Sequence, residues 1–442
     1  MVTINLLQLK TIVLQKLRTS YGKGILWLAA SRIFWIVNTL TVGILVTRHL
    51  GPEKFGMLNY AISFSTLFFM IISGSGDPLI SQEIIKSPRR TGEILGNIAL
   101  LHGILFTLFF SVETVFLYFS GLSSSQKYLC LIISLAYSSY IFQVIHPYFQ
   151  ATLQVKKNGI CFLLAFVLYA LLRLLALQFD FSLGFYAWIE AFLHISTNLF
   201  LLAAYIFSGG KLREWKISFK TILPVLKPFI LLSCGGLVSV IYSRTDIMML
   251  EYFSGAEAVG FYSLAVKISD SFLVFGTIIL TTLFPAIIRG YEKSPSNGDR
   301  YLQKLTFSLF YLMLITAAAA AFAAEPVTRW LFGEKFAPSA GILQIYVFSL
   351  PTLILLCIYH NIAIYRKKIS HYILTVITGC VLNFLGNLWL IPCLGVRGAA
   401  LSSVFCMPLG ILLTMPCFIQ SRALLMMFLR SLSHLPFCKA ER

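Results

Sequence analysis

The sequence predicts an all-α polytopic membrane protein of about twelve transmembrane helices, arranged as two six-helix bundles. Three observations lead to this fold class. Of 442 residues, 58% are hydrophobic and 12% are charged, with a mean hydropathy of +0.83, which is too few charges to cover the surface of a water-soluble domain. The apolar residues form runs of at least the ~20 residues that a spanning helix needs, longer than barrel strands of about ten. A short motif also recurs in equivalent places of the two halves.

The elements follow in chain order. The first 20 residues are basic and amphipathic, and they lack a short apolar core followed by a cleavage site, so we expect a retained interfacial helix rather than a targeting sequence. The predicted spanning helices cover residues 24–47, 56–81, 94–119, 128–150, 158–178, 184–207, 229–251, 258–284, 305–324, 339–364, 371–391 and 396–419.

The longest polar interruption separates the sixth helix from the seventh. It runs from Ser208 to Lys227 and is too short to fold by itself. The predicted organisation is therefore an N-terminal bundle with the interfacial helix at 1–207, a cytoplasmic linker at 208–228 and a C-terminal bundle at 229–442.

The distribution of Lys and Arg predicts the orientation. If the N-terminus is cytoplasmic, 25 of the 35 basic residues lie on that side and 6 lie on the other. The positive-inside rule then places both termini in the cytoplasm. The net charge of +18 is explained by contact with anionic lipid headgroups, so we expect no nucleic-acid partner.

The repeated motif marks the turn after the first helix of each half. GPEKFGMLNYA aligns with GAEAVGFYSLA 204 residues later, with identities at Gly51/Gly255, Glu53/Glu257, Gly56/Gly260 and Ala61/Ala265. Glycine permits a tight turn, and glutamate is favoured at a helix N-terminus. Any short helical hairpin favours these residues, but an offset of six helices is what two parallel repeats of a transporter would give.

Several kinds of chemistry are not supported by the sequence. The nine cysteines and seven histidines are dispersed, and no CxxC, HExxH or P-loop motif occurs. We therefore expect no metal site, no cofactor, no catalytic residues and no ATP hydrolysis. Transport by such a chain would need a partner or an ion gradient, of H⁺ or Na⁺.

Five segments carry a resemblance to a known family. They are TRHLGPEKFG from Thr47, GDPLISQEIIKSPRRTGEILGN from Gly76, YSRTDIMMLEYFSGAEAVGFYSLAVKISD from Tyr242, LFGEKFAPSAGIL from Leu331 and LNFLGNLWLIPCLGVRGAALSS from Leu382. Together and in this order they resemble the Wzx-type O-antigen and exopolysaccharide flippases of the multidrug/oligosaccharidyl-lipid/polysaccharide exporter superfamily. Relatives often carry a basic residue where this chain has Gln82, so that position is given no role.

The resemblance implies two bundles around a central cavity in the bacterial inner membrane. It implies a flippase, not an enzyme, that moves undecaprenyl-pyrophosphate-linked oligosaccharide from the inner to the outer leaflet by alternating access. Implied partners are membrane lipids and, in addition, a polysaccharide polymerase and other assembly proteins. A lipid II flippase fits less well, because those usually have fourteen helices and this chain has twelve predicted ones.

Ionisable residues inside the predicted spans are the candidate functional residues, because charges are costly there. Arg32, Arg244 and Lys267 are the predicted ligands of the pyrophosphate or of acidic sugars, since cations match such anions. Internal pairing is the alternative, above all for Lys267 with Asp270 at i,i+3. Arg173 lies near a helix end, which favours a lipid-facing anchor.

Candidate ion-coupling residues are Asp246, Asp270, Glu190 and His194. Glu190 and His194 share a helix face at i,i+4 and form either a proton relay or a buried structural pair. Glu113 is a further acid within a span.

Two other function classes compete with the flippase. An ion-coupled small-molecule (drug) exporter of the same superfamily would favour an acidic cavity without several buried arginines. A membrane glycan polymerase or transferase would need a large outer loop or carboxylates grouped in one. The longest predicted outer loop, 325–338, contains only Glu325 and Glu334 as acids.

Overall fold

The structure is a computed structural model that describes residues 20–70, 72, 76–417 and 426. Within these residues the chain is helical and contains no strand. The α-helices are α1 Ser20–Leu40, α2 Val42–Phe69, α3 Asp77–Lys86, α4 Thr91–Phe119, α5 Ser124–Ala136, α6 Ile145–Ala151, α7 Val155–Gln178, α8 Leu183–Phe207, α9 Phe219–Lys293, α10 Pro295–Phe332, α11 Ala337–Tyr346, α12 Leu350–Tyr365, α13 Ile369–Leu394 and α14 Val396–Thr414. Short 3₁₀ helices at Tyr137–Phe142 and Val347–Ser349 join α5 to α6 and α11 to α12.

The all-α membrane fold is confirmed. Ten helical stretches of the described chain are long and apolar enough to cross a membrane. Two of them, Leu26–Phe69 and Gly236–Lys293, each overlap two predicted spans on either side of a bend at a glycine, so the ten stretches correspond to the twelve predicted helices. The second predicted span, 56–81, is interrupted in the structure: α2 ends at Phe69 and α3 begins at Asp77. The predicted interfacial helix lies, apart from Ser20, outside the described residues.

The described chain forms two compact units. Unit 1 contains the chain up to Leu50 together with Ala61–Val240, and unit 2 contains Gly51–Tyr60 together with the chain from Ile241 onwards. The predicted linker, 208–228, therefore falls within unit 1. The first copy of the repeated motif belongs to unit 2, although its flanking helical segments belong to unit 1.

The bends at the two copies of the motif have the same backbone geometry. Gly51 has φ 73° and ψ 173°, and Gly255 has φ 79° and ψ 179°. A positive φ is accessible to glycine at little cost and to other residues only with strain. The helix restarts directly afterwards, in the first copy with Pro52, whose fixed φ suits the first helical position. The structure thus confirms the predicted pair of equivalent turns.

Inside unit 2 the two copies of the motif pack against each other through their second glycines. A Cβ atom added to Gly56 would lie 1.8 Å from the carbonyl oxygen of Ala256, and one added to Gly260 would lie 2.0 Å from that of Pro52. Pro52 and Ala256 are themselves equivalent positions of the repeat. The contact is therefore symmetric, and it explains the glycine at the second end of each copy, whereas the positive φ explains the first.

Helix packing in each unit positions the polar residues considered below. In unit 1, α1 packs along α7 and α7 packs along α8. In unit 2, α13 and α14 form the most extensive helix pair and α14 also packs on α11. Polar side chains on these helices thus meet inside each unit.

Candidate functional site

A buried carboxylate in unit 2 is held only by neutral side chains. Asp246 on α9 is 4% exposed. Its Oδ1 accepts a hydrogen bond from Asn387 Nδ2 at 2.6 Å, and its Oδ2 accepts from Ser403 Oγ at 2.6 Å and from the hydroxyl of Tyr262. Among the described residues, no Lys, Arg or His forms an ion pair with Asp246. We call Asp246, Tyr262, Asn383, Asn387 and Ser403 the Asp246 cluster.

The groups around Asp246 belong to a wider polar network on α13 and α14. Asn387 Nδ2 also donates to Asn383 Oδ1 at 3.2 Å, and Asn383 Nδ2 donates to Ser402 Oγ at 3.3 Å. Asn383, Asn387 and Ser402 are fully buried. Because buried polar groups are costly without partners, this network is a specific feature rather than incidental packing.

One oxygen of this network has no hydrogen-bond partner. It is Oδ1 of Asn387, a buried acceptor on the side chain that donates to Asp246. Rotation of the amide would turn this oxygen toward the carboxylate. A proton on Asp246 or a small hard cation held by these oxygens fits the arrangement, because both satisfy acceptor oxygens around a buried negative charge.

The other candidates in unit 2 have partners different from those predicted. Asp270 interacts electrostatically with Arg244, and the ion pairs among the described residues do not include Lys267 with Asp270. The Lys267 ammonium lies 5.7 Å from the ring centroid of Phe55, within cation–π range. An aromatic ring, and not Asp270, is therefore the neighbour seen at the Lys267 ammonium.

Glu190 in unit 1 is neutralised by an arginine. Arg173 forms an ion pair with it, both side chains being 11% exposed, and Tyr169 donates its hydroxyl to the same carboxylate at 2.6 Å. The interpretation of Arg173 as a lipid-facing anchor is therefore wrong: α7 turns it toward α8, where its charge is paired. His194 does not hydrogen-bond to Glu190; its Nδ1 contacts the Tyr140 hydroxyl at 3.0 Å.

Arg32 lies at a pocket within unit 1 whose lining combines aromatic, aliphatic and polar side chains. The pocket has a volume of about 350 Å³ and is lined by residues of α1, the 3₁₀ turn, α6, α7 and α8, among them Trp35, Gln143, His146 and His194. None of its lining residues is acidic. Arg32 is an exposed residue and forms no ion pair among the described residues. We call this cavity the Arg32 pocket.

A second buried acid lies elsewhere in unit 1. Glu113 on α4 is fully buried, and its Oε1 accepts a hydrogen bond from Ser134 Oγ at 2.6 Å. Its Oε2 has no partner. With one hydroxyl partner, Glu113 differs from Asp246, which has three donors.

Sequence reasoning identified Asp246 but not the residues that surround it. Asn383 and Asn387 are spaced i,i+4 and therefore share one face of α13, and buried amides on a membrane helix are a usable signal for an internal polar site. Trp35 and Gln143 of the Arg32 pocket carry no comparable signal, since single aromatic and amide residues are common in such helices.

The structure is thus a multi-pass helical membrane fold with one polar site in each of its two units. The chain matches the sequence profile of the family described as "Polysaccharide biosynthesis protein" over residues 21–290, which is more than half of its length. It therefore belongs to that family.

Comparison with individual proteins agrees with the fold. The chain is 31% identical over 172 residues to an uncharacterized membrane protein, MJ1068, of Methanocaldococcus jannaschii, a match that covers 38% of this chain and 33% of that protein. The aligned part thus spans about a third of that curated relative.

One similar solved structure is a lipid II flippase, MurJ, in an inward closed conformation (TM-score 0.73, 14% identity, 93% of each chain covered). Another is a multidrug resistance MATE family transporter of the MOP superfamily in an inward-facing conformation (TM-score 0.65, 15% identity, 90% of this chain and 96% of that chain covered). At these identities the likeness establishes the fold. The two proteins that share this fold are named as a flippase and a transporter.

Proposed function

We propose that this protein is a flippase that moves undecaprenyl-pyrophosphate-linked oligosaccharide, such as an O-antigen, capsule or exopolysaccharide repeat unit, from the inner to the outer leaflet by alternating access. Membership of the polysaccharide biosynthesis family and the transporter fold support a lipid-linked saccharide as cargo. The proposed location is a bacterial inner membrane with both termini cytoplasmic. A polysaccharide polymerase and other assembly proteins are proposed partners.

The observation that carries this proposal is the position of Arg32. An arginine in a membrane-spanning helix is costly unless it is paired or serves a ligand, and Arg32 is exposed at a pocket whose lining contains no acid. An anionic cargo satisfies this guanidinium, whereas a cationic drug would be repelled. Arg244 and Lys267 are the further proposed cargo ligands.

The Asp246 cluster is the proposed coupling site. A buried carboxylate with neutral partners and a neighbouring unpaired amide oxygen suits reversible binding of H⁺ or Na⁺. Binding of the ion removes the free-energy cost of the buried negative charge. The ion-bound and ion-free forms of the site therefore favour different conformations of the protein. We assign no coupling role to Glu190, because Arg173 already neutralises it.

The test is transport in liposomes. The purified protein is reconstituted with undecaprenyl-pyrophosphate-linked oligosaccharide, and the appearance of the saccharide in the opposite leaflet is measured. We expect transfer well above that of protein-free liposomes; equal rates would refute the flippase. Arg244→Gln should slow transfer with expression unchanged, whereas Arg397→Gln, at the start of α14, should not.

The second candidate, an ion-coupled drug exporter of the same superfamily, is favoured by one observation. The fold also matches MATE transporters over most of the chain. Efflux of a cationic dye from the same liposomes distinguishes the two functions: dye transport without saccharide transfer would establish the exporter.

A further inference from the structure

The Arg32 pocket contains an unusual combination of groups. Trp35 projects from α1 into it, and its ring packs on those of Phe166 and Tyr169, at centroid distances of 4.8 and 5.9 Å. One face of the pocket is therefore a supported aromatic platform. Aromatic side chains backed in this way keep their orientation, as a binding surface requires.

An unpaired acceptor lies in the same pocket. Gln143 Oε1 is shielded from solvent and has no hydrogen-bond partner. Leaving a buried carbonyl oxygen unpaired costs about 1–3 kcal/mol, so a ligand that donates a hydrogen bond there would recover that cost. The orphaned oxygen points to a ligand rich in hydroxyl groups.

Two imidazoles complete the polar lining, and each is held by a second residue. His146 Nδ1 lies 2.8 Å from Asp77 Oδ2, and His194 Nδ1 lies 3.0 Å from the Tyr140 hydroxyl. The rings are thereby fixed in place. Nε2 of His194 has no hydrogen-bond partner among the described residues and is free to contact a ligand.

We propose that the Arg32 pocket binds one pyranose ring of the cargo, and that this sugar carries a carboxylate which pairs with Arg32. Trp35 covers the apolar face of the ring, and Gln143 and His194 take its hydroxyl groups. The volume of about 350 Å³ is near the lower end of the roughly 300–1,000 Å³ of ligand pockets, which suits a single ring rather than a whole repeat unit. This inference rests on the proposed flippase function and names the sugar class that the flippase selects.

Binding is measured with free sugars on the full-length protein in nanodiscs, by saturation-transfer NMR. The probes are glucuronate, glucose and inorganic pyrophosphate. We expect glucuronate to bind more tightly than glucose. Trp35→Leu should weaken glucuronate binding about fivefold or more, because a stacking platform is lost. Arg32→Gln should weaken it about tenfold, because a charge-assisted pair is lost, and should leave glucose binding unchanged.

Gln143→Leu gives a sharper test that does not depend on a destabilised variant. Because it removes an unpaired buried oxygen, the melting temperature should stay the same or rise while glucuronate binding falls. The matched control is Trp389→Leu, at a tryptophan of α13 that is 72% exposed; it should bind glucuronate like the parent protein.

Each remaining outcome refutes a defined part of the inference. If Trp35→Leu and Gln143→Leu bind glucuronate as well as Trp389→Leu does, the pocket is not a sugar site. Equal binding of glucose and glucuronate by the parent protein would refute the acidic sugar. Pyrophosphate that binds in the pocket and displaces glucuronate would assign the pocket to the lipid headgroup.

Failure of this inference is distinguishable from failure of the proposed function. If the parent protein transfers lipid-linked oligosaccharide in liposomes and the pocket variants transfer it equally well, the flippase stands and the pocket assignment fails. If the parent protein transfers none, the flippase fails, whatever the free sugars show.

Discussion

Replacing Asp246 by Asn should remove ion binding while leaving the fold largely intact. The carboxylate accepts three hydrogen bonds, and a hydrogen bond to a charged group is worth about 1.5–3 kcal/mol, so losing all three outright would cost roughly 4.5–9 kcal/mol. However, each donor has a second acceptor at 3.1–3.2 Å. We therefore expect Asp246→Asn to lower the free energy of unfolding by only about one such bond, ~1–3 kcal/mol.

The ion effect is measured by thermal melting of the purified protein. An ion present at 100 times its dissociation constant stabilises the folded state by about 2.7 kcal/mol, so the parent protein should melt higher in Na⁺ than in choline if Na⁺ is the ligand. If the ligand is a proton, the parent protein should instead differ from Asp246→Asn in how melting varies with pH at fixed salt.

Glu113→Gln is the matched control, because Glu113 is also a fully buried acid but lies in unit 1, outside the Asp246 cluster. It should respond to Na⁺ as the parent protein does. The reasoning is refuted if Asp246→Asn keeps the full ion response, or if only Glu113→Gln loses it.

Two further predictions concern packing and charge. Gly56→Ala and Gly260→Ala should each lower the free energy of unfolding by about 1–3 kcal/mol through overpacking, because the new Cβ atoms would lie 1.8 and 2.0 Å from carbonyl oxygens. Gly121→Ala is the control, since the space around Gly121 is open. Equal melting temperatures of all three variants would contradict the contact. Glu190→Gln should lower the free energy of unfolding by about 3–5 kcal/mol, because it leaves the buried charge of Arg173 without a partner. Replacing both residues by Leu should lower it by less. A double variant at least as unstable as Glu190→Gln would argue against an isolated ion pair.

Much of the fold was predictable because membrane spans are long and apolar. The minimum length of about 20 residues placed twelve spans on helices, although the second was predicted to continue to residue 81 and α2 ends at Phe69. The two motif glycines located the bends at Gly51 and Gly255. These features are local, so a single sequence contains them. The symmetric contact of Gly56 with Gly260 was not foreseen, because the repeat alone does not say that its two copies touch.

The candidate site was only partly predictable. Asp246 was singled out because a carboxylate in a span is costly, but its partners Asn387 and Ser403 lie 141 and 157 residues away in the chain. The short distance of Arg173 from its helix end also led to the wrong assignment as a lipid-facing anchor, because that distance does not reveal that Glu190 lies opposite on α8. Pairing across helices depends on packing, which no periodicity within one helix specifies.

The glycine contact between the two motif copies limits how the halves of this chain can diverge. After a duplication, paired positions normally drift apart, as they have where Arg244 corresponds to Leu40. At Gly56 and Gly260 a side chain in either copy would meet the backbone of the other, so the two positions are constrained together. Internal similarity that survives at such a place is a record of physical contact, and the same comparison between the halves of other duplicated transporters would locate the contacts between their repeats.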